Sequence, residues 1–190
     1  MKGKIRIIGG QWRGRKLQVP EKPGLRPTPN RVRETLFNWL AMDLPGSRCL
    51  DLFAGTGALG IEAASRGAKQ VLLVEKERDV VQGLKQQVAT FAPDIEILCA
   101  DVLQFLKRTP ETFDIIFLAP PYGHDLLRPT CPLLEEGGWL SPHALIYLET
   151  ERRFGEPSLP ATWQVIRRQK VGQVAGFLCV NNLNNGRLKT

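Results

Sequence analysis

From Arg48 onwards, short apolar segments alternate with amphipathic ones, and this alternation is the strongest constraint on how the chain can fold. Uninterrupted apolar runs are typical of strands buried on both faces, and amphipathic segments between such strands are typical of βαβ units. We predict strands at 49–53, 70–75, 95–100, 113–118 and 145–149, and helices near 57–66, 77–91, 102–107 and 123–135. The sequence therefore predicts an α/β fold with a mostly parallel sheet.

Two further strands are predicted beyond this region, at 163–170 and 174–181, joined by the link Val171-Gly172-Gln173. A link this short connects antiparallel neighbours, because a parallel pair needs a long crossover. We expect an antiparallel hairpin at the edge of the sheet, which brings the sheet to seven strands.

The amino-terminal part of the chain has a different pattern. Short strands are predicted at 4–8 and 15–19 around a glycine-rich turn, followed by a Pro/Gly-rich linker at 20–29. Thr28 is expected to cap a helix whose first residue is Pro29 and which runs to about Asp43. We therefore divide the chain into a small basic β-hairpin with its linker, 1–27, and an α/β domain, 28–190.

The positive charge is concentrated in the same amino-terminal part. Residues 1–33 contain ten Lys or Arg and one acidic residue, Glu21, whereas the rest of the chain is slightly acidic and the whole chain carries +7. Clustered Lys and Arg favour a polyanionic partner such as a nucleic acid. A solvated basic segment with no partner is the alternative, and the apolar residues interleaved with the charges, such as Ile5 and Trp12, count against it.

Composition excludes several other classes of protein. With 43% hydrophobic and 24% charged residues the chain is predicted to be globular, and it has no apolar run long enough for a membrane helix. The four cysteines are widely spaced, so we expect no metal site and interpret Cys49 and Cys99 as buried thiols. A cytoplasmic monomer is the expectation.

The stretch from Asp51 to Gly60, Asp-Leu-Phe-Ala-Gly-Thr-Gly-Ala-Leu-Gly, predicts a ligand site. An apolar strand ends in an acid, passes through glycines that allow close backbone approach, and opens a helix with free N–H groups. The spacing Gly55-x-Gly57-x-x-Gly60 matches the dinucleotide fingerprint, although a purely structural turn would also account for it.

Three acidic residues at strand ends indicate a ligand other than NAD. Asp51, Glu75 and Asp101 each lie at the carboxyl end of a predicted strand, and the carboxyl ends of parallel strands form the ligand crevice of open α/β sheets. A carboxylate at Asp51 would repel a pyrophosphate but suits a cationic ligand. Glu75 can accept both ribose hydroxyls and Asp101 an adenine amino group, so the set fits S-adenosylmethionine.

A fourth strand end carries the sequence Ala119-Pro-Pro-Tyr122. The two prolines stop strand pairing, fix the backbone and leave carbonyl groups aimed towards the crevice. Tyr122 offers a flat surface on which a base can stack. A rigid turn with a core aromatic residue is the alternative interpretation.

This stretch resembles the Asp/Asn-Pro-Pro-Tyr/Phe motif of amino-group methyltransferases. Together with Arg6-Ile-Ile-Gly-Gly-Gln-Trp-Arg-Gly-Arg-Lys-Leu17 and Gly24-Leu-Arg-Pro-Thr-Pro-Asn-Arg-Val-Arg-Glu-Thr-Leu-Phe-Asn-Trp39, it resembles the bacterial 16S ribosomal RNA guanine-N2 methyltransferase family over roughly residues 4 to 180. The resemblance implies a Rossmann-like S-adenosylmethionine-dependent methyltransferase fold. It also implies methyl transfer to the exocyclic amine of one guanine in 16S rRNA of the small ribosomal subunit.

Site residues are predicted in three groups. The resemblance implies the cofactor-binding residues Asp51, Phe53, Ala54, Gly55, Gly57, Glu75, Lys76, Asp101 and Val102. It implies that Ala119, Pro120, Pro121 and Tyr122 hold the base and form the catalytic motif. The basic hairpin supplies the predicted RNA-binding residues Lys4, Arg6, Trp12, Arg13, Arg15 and Lys16, and the resemblance adds Arg26, Thr28 and Arg31 in the segment that closes over the site.

The chain departs from the motif at Ala119, where the family has Asp or Asn. The guanine amine is a poor nucleophile, and an acceptor at this position would draw its lone pair towards the methyl donor. Three outcomes stay open: a neighbour such as Asp125 or a water replaces the acceptor, the enzyme is slow, or the chain is inactivated.

Three other functions are weighed. A non-catalytic RNA-binding protein is consistent with Ala119. A DNA adenine-amino methyltransferase would need a recognition domain that the chain lacks. A small-molecule methyltransferase or NAD enzyme leaves the basic segment unexplained.

Overall fold

The computed structural model describes residues 3–20, 22, 27–92 and 94–182. A two-stranded hairpin, β1 (Lys4–Arg6) and β2 (Lys16–Gln18), precedes a seven-stranded sheet. The strands of the sheet are β3 (Arg48–Asp51), β4 (Gln70–Glu75), β5 (Glu96–Cys99), β6 (Phe113–Leu118), β7 (Leu140–Glu151), β8 (Trp163–Val171) and β9 (Val174–Asn181). The predicted α/β class and both hairpins are confirmed.

The sheet has the order β5-β4-β3-β6-β7-β9-β8. The first five strands pair in parallel, and β9 pairs antiparallel with both β7 and β8. The strand order reverses between β3 and β6, which is where open α/β sheets form their ligand crevice. This topology is the Rossmann-like arrangement that the sequence predicted.

Helices cover both faces of the sheet. They are α1 (Asn30–Trp39), α2 (Ala58–Ser65), α3 (Arg78–Val88), α4 (Val102–Phe105) and α5 (Leu127–Glu136), with a 3₁₀ turn at Arg152–Phe154. One apolar cluster joins α1, α2, α3 and the hairpin to one face, and a second joins α4 and α5 to the other. Residues of the central strands alternate between the clusters, so these strands are buried on both sides as the apolar runs predicted.

Helix α1 differs from the prediction at both ends. It begins at Asn30 and ends at Trp39, and no side chain caps its first turn, so the expected Thr28 cap is wrong. Thr28 is instead buried in the ligand cavity described below, where its hydroxyl bonds a carboxylate of the sheet. Tertiary contacts therefore override the local capping preference.

Two further expectations needed correction. Strand β7 starts at Leu140 rather than at 145, because an irregularity opposite Phe113 and Ile115 lets the segment before Leu145 join the sheet. Cys99 is exposed rather than buried, since β5 is an edge strand and Cys99 is its last residue. Cys49 is buried as predicted, and burial raises the pKa of its thiol to about 12.

Within the described ranges, no helix is long and apolar enough to cross a membrane. The same part of the chain holds no group of three or more His, Cys, Asp or Glu side chains arranged to bind a metal ion.

Candidate functional site

A cavity of about 270 Å³ opens at the carboxyl ends of the central strands. Its walls come from the loops after β3, β4, β5 and β6, from the end of β7, and from Thr28 ahead of α1. Eight of the nine predicted cofactor residues and all four residues of the Ala119–Tyr122 motif line it. Gly57 is the exception: it does not line the cavity and lies at the turn from the loop into α2.

Asp51 is the most unusual group in the cavity. Its side chain is buried, and Gly60 N–H donates to Oδ2 at 3.1 Å. The other oxygen, Oδ1, is buried and has no partner in hydrogen-bond geometry among the described residues. Burial raises the pKa of this carboxyl to about 7, opposed by the backbone N–H groups of Gly60 and Phe53. A buried carboxylate that lines a cavity and can accept a further hydrogen bond fits a ligand that brings a cationic donor.

The glycines of the loop are required by its geometry. Gly57 precedes the first residue of α2 with φ +73°, a left-handed conformation that favours glycine. A Cβ on Gly60 would lie 2.2 Å from the side chain of Leu73 on β4. Small residues here therefore let α2 pack directly on the strand whose end carries Glu75.

Glu75 ties two loops of the cavity together. Its Oε2 accepts Gly55 N–H at 2.9 Å and its Oε1 accepts Glu77 N–H at 2.9 Å. Each oxygen keeps a further lone pair, so the carboxylate can also accept ribose hydroxyls. Asp101 is exposed at the opposite wall and accepts the N–H of Gln104 at 3.1 Å, which caps α4.

Lys22 lines the cavity and was missed as a site residue by the sequence analysis. Its Nζ lies 2.6 Å from Glu77 and 2.8 Å from Asp79, and these two hydrogen bonds raise the pKa of its ammonium group. A lysine in a Pro/Gly-rich linker carries no local signal for such a position.

The sequence analysis also missed Glu149, the last buried acid of β7. It lines the cavity, and Tyr147 donates its hydroxyl to Oε2 at 3.2 Å while Thr28 hydrogen-bonds the same carboxylate. Burial raises its pKa to about 7. The signal was present, since Glu149 ends a predicted strand as Asp51 and Glu75 do.

The basic residues of the amino-terminal part separate into two groups. Arg33 is buried against Glu62, with Nη1 at 3.4 Å from Oε2, and burial lowers the pKa of its guanidinium. The exposed members of the predicted RNA-binding set are Lys4, Arg6, Arg13, Arg15, Lys16 and Arg31. We call these six side chains the basic surface. Arg26 lies outside the described residues.

Trp12 is half-buried and does not stand free on the hairpin. Its ring meets Phe91 edge-on with centroids 5.2 Å apart, and the Arg15 guanidinium lies 4.5 Å from the centre of the Phe91 ring. These contacts fix the turn of the hairpin on the segment that follows α3. Trp12 therefore supports the basic surface by packing.

Glu62 of α2 anchors the hairpin to the domain. Its fully buried carboxylate accepts Ile8 N–H at 2.8 Å, Gly9 N–H at 2.7 Å and Arg66 Nε at 2.8 Å, besides the contact with Arg33. One turn further along, Ser65 bonds the turn of the hairpin through its side chain and its carbonyl. The hairpin is thus held in a defined position relative to the cavity.

Comparisons with known proteins agree with this architecture. Residues 5–179 match the family model described as Conserved hypothetical protein 95. The chain is 51% identical to ribosomal RNA small subunit methyltransferase D of Escherichia coli K12 over 174 residues, 91% of this chain and 88% of that protein. It is 44% identical to the protein of the same name from Haemophilus influenzae, covering 95% of both chains.

Solved structures show the same relationship. The structure of the methyltransferase yhhF from Escherichia coli matches with a TM-score of 0.88 at 46% identity, covering 95% of this chain and 99% of that one. The cavity with its orphaned carboxylate, the proline motif and the docked basic hairpin lie within the matched region. The chain belongs to the family of ribosomal RNA small subunit methyltransferase D.

Proposed function

We propose that this protein transfers a methyl group from S-adenosylmethionine to the exocyclic N2 amine of one guanine in 16S ribosomal RNA. The observation that carries the proposal is that the buried Asp51 carboxylate and the Ala119–Tyr122 motif line the same cavity. A cationic methyl donor and a flat base would then meet at the carboxyl end of β6. Relatives named as small-subunit rRNA methyltransferases support the same substrate class.

The cofactor side of the cavity suits S-adenosylmethionine by its chemistry. Asp51 would accept from the ammonium group, Glu75 would accept the ribose hydroxyls, and the backbone of Gly55 would allow close approach. When bound, the ligand supplies an electrophilic methyl group on a sulfonium. The residues of this chain hold that methyl group near the base and exclude water around it.

The base side is formed by the proline motif. Strand pairing between β6 and β7 ends at Leu118, so the backbone of Pro120 and Pro121 leaves the sheet and faces the cavity. A carbonyl there can accept one N–H of the guanine amine, and Tyr122 can stack on the ring. The base has to leave its helix or loop to reach this depth.

The basic surface would hold the RNA while the base is inserted. Its six exposed side chains come from the hairpin and from the start of α1, and Glu62 fixes the hairpin to the helix that follows the cofactor loop. Each Lys or Arg that meets a phosphate releases counterions, so binding should weaken steeply with salt. We propose 16S rRNA, within or outside the assembled small subunit, as the partner of the monomeric chain.

A second function is favoured by one observation. Ala119 offers no side-chain acceptor to the base, so a protein that binds cofactor and RNA without transferring the methyl group is the alternative.

One assay separates the two. Purified protein is incubated with S-adenosylmethionine and with small subunits that lack the modification, and the nucleosides are analysed by mass spectrometry. We expect N2-methylguanosine at one position. Confirmed binding of both ligands without any methylated nucleoside would leave the non-catalytic RNA-binding protein as the function.

A further inference from the structure

Ala119 gives the base pocket no side-chain acceptor, whereas Glu149 on the neighbouring strand β7 has a carboxylate. Phe117 pairs with Tyr147 and Leu118 with Leu148, where the pairing of β6 and β7 ends. Ala119 directly follows this last pair on one strand and Glu149 on the other, and both residues line the cavity. Alternate residues share a face, which puts Asp51, Ala119 and Glu149 on the face that carries Tyr147 and Phe117. Neighbouring strands lie about 4.8 Å apart, a gap that a glutamate side chain can cross.

We infer that Glu149 accepts an N–H of the guanine exocyclic amine, in the space where Ala119 provides no acceptor, and takes up its proton after methyl transfer. This inference rests on the proposed function. A carboxylate oriented towards the amine raises electron density on N2 and aims its lone pair.

The other acidic groups of the cavity have other partners. Asp51 and Glu75 are the proposed partners of the cofactor's ammonium group and ribose. Glu77 is bound to Lys22, and Asp101 is exposed and caps α4. Asp125, the neighbour suggested by the sequence, is exposed and is not part of the cavity wall. Glu149 is buried, lines the cavity and is adjacent to the motif.

The Glu149 carboxylate can accept hydrogen bonds beyond those it already has. A carboxylate offers about four lone-pair positions, and the hydroxyls of Tyr147 and Thr28 occupy two of them. These two donors also fix the orientation of the carboxylate, so it needs no rearrangement when the base arrives. The titratable groups that face it are Asp51 from β3 and Tyr147 from its own strand, while the neighbouring positions Ala119 and Gly176 carry none.

The proposed step is transfer of the methyl group to N2, followed by loss of one proton from that nitrogen. A bond forms between N2 and the methyl carbon, the bond from that carbon to the sulfonium sulfur breaks, and the electron pair stays on sulfur. The amine nitrogen becomes cationic and releases one proton, which Glu149 accepts and returns to water through the cavity mouth. Burial holds the pKa of Glu149 at about 7, so the carboxylate is a stronger base than an exposed glutamate.

The test compares Glu149→Gln with the native chain in single-turnover methylation of small subunits at saturating S-adenosylmethionine. We expect the rate to fall about 100-fold, as it does when one oriented polar group of an active site is lost. Cofactor affinity, measured by calorimetry, should stay within about threefold, because Glu149 lies on the base side. The limb of the pH–rate profile near pH 7 should disappear.

Glu151→Gln is the matched control, because Glu151 is an acidic residue of the same strand that does not line the cavity, so this variant should keep the native rate. Tyr147→Phe removes one of the two hydroxyls that orient the Glu149 carboxylate and should lower the rate less than Glu149→Gln does. Ala119→Asp in the Glu149→Gln background should restore at least tenfold of the lost rate, since it supplies an acceptor from the neighbouring strand. Glutamate-selective ¹³C NMR of the protein alone should show one carboxyl titrating near pH 7, absent from Glu149→Gln.

The inference is overturned if Glu149→Gln keeps a rate within about threefold of the native chain, if the control Glu151→Gln is as slow as Glu149→Gln, or if Ala119→Asp restores nothing. It is also overturned if the native chain is inactive and Ala119→Asp alone makes it active, since Glu149 would then not have replaced the acceptor. Absence of methylation in the native chain and in all variants contradicts the proposed function itself.

Discussion

Replacing Glu62 by glutamine should destabilise the protein far more than breaking an ion pair on its surface. The fully buried carboxylate receives two backbone amides of the hairpin and the side chains of Arg33 and Arg66. An amide at this position keeps one acceptor and turns an N–H₂ group towards groups that are themselves donors. It also leaves the guanidinium of Arg33 buried without its counter-charge.

The magnitude follows from burial. Breaking a buried pair from one side costs about 3–5 kcal/mol, a large part of the 5–15 kcal/mol by which a domain is stable. At about 2–4 °C per kcal/mol for a chain of this size, the midpoint of thermal unfolding should fall by about 6–20 °C. Denaturant titration and calorimetry measure both quantities.

The control is Glu111→Gln, which breaks a pair of comparable length. Arg48 Nη2 lies 2.7 Å from Glu111, but half of the glutamate side chain is exposed, and such pairs contribute less than about 1 kcal/mol. If Glu62→Gln lowers the midpoint no more than Glu111→Gln does, the buried carboxylate does not hold the hairpin, and the argument from its donors fails. Faster proteolysis within residues 3–20 of Glu62→Gln would identify the hairpin as the part released.

Three further outcomes are expected. Asp51→Asn should weaken S-adenosylmethionine binding by about 10- to 100-fold in calorimetry, because a charged hydrogen bond is removed, with unfolding still cooperative; unchanged affinity would remove Asp51 from the cofactor site. The raised pKa values of Asp51 and Glu149 mean that the folded chain holds more protons than the unfolded one between about pH 4 and pH 7. The free energy of unfolding should therefore decrease as the pH rises from about 4 to 7, by at most about 1.4 kcal/mol per pH unit for each group. In denaturant titrations, Asp51→Asn should make the free energy of unfolding depend less steeply on pH. Replacing Arg13, Arg15 or Lys16 by glutamine should make the affinity for 16S rRNA less sensitive to salt. The slope of log affinity against log salt concentration should become shallower by about 0.9 for each phosphate that the native side chain neutralises. Unchanged slopes in all three variants would mean that the RNA binds elsewhere.

The parts of the fold that follow from local pattern could be predicted from the sequence. Strands β4 and β6 have the predicted bounds, because each contains four consecutive apolar residues, followed by Glu75 in β4 and by the Ala119–Tyr122 motif in β6. The glycine loop and its acidic neighbours were found because strand ends of a parallel sheet meet at one edge. The family resemblance added the assignment of Lys76 and Val102, which carry no signal of their own.

What the sequence did not reveal depends on contacts between distant residues. Arg33 counted towards the basic segment, yet it is buried against Glu62, 29 positions away. Thr28 matched a helix cap but bonds the carboxylate of Glu149 on β7, which lies 121 positions further along the chain. Burial and pairing across the sheet decide these positions, and neither is visible in a local window.

Helix α2 fixes the distance between the cofactor loop and the amino-terminal hairpin. The cofactor loop enters its first turn at Gly57, and Glu62 and Ser65 near its other end hold the hairpin. Its eight residues span about 12 Å at 1.5 Å per residue. Inserting or deleting one residue would turn one end relative to the other by about 100°, so the loop and the hairpin would each stay intact but face different directions. The segments 107–112 and 155–162 are exposed or half-buried and lie outside the helices and the sheet, so variation in chain length should concentrate there and spare α2.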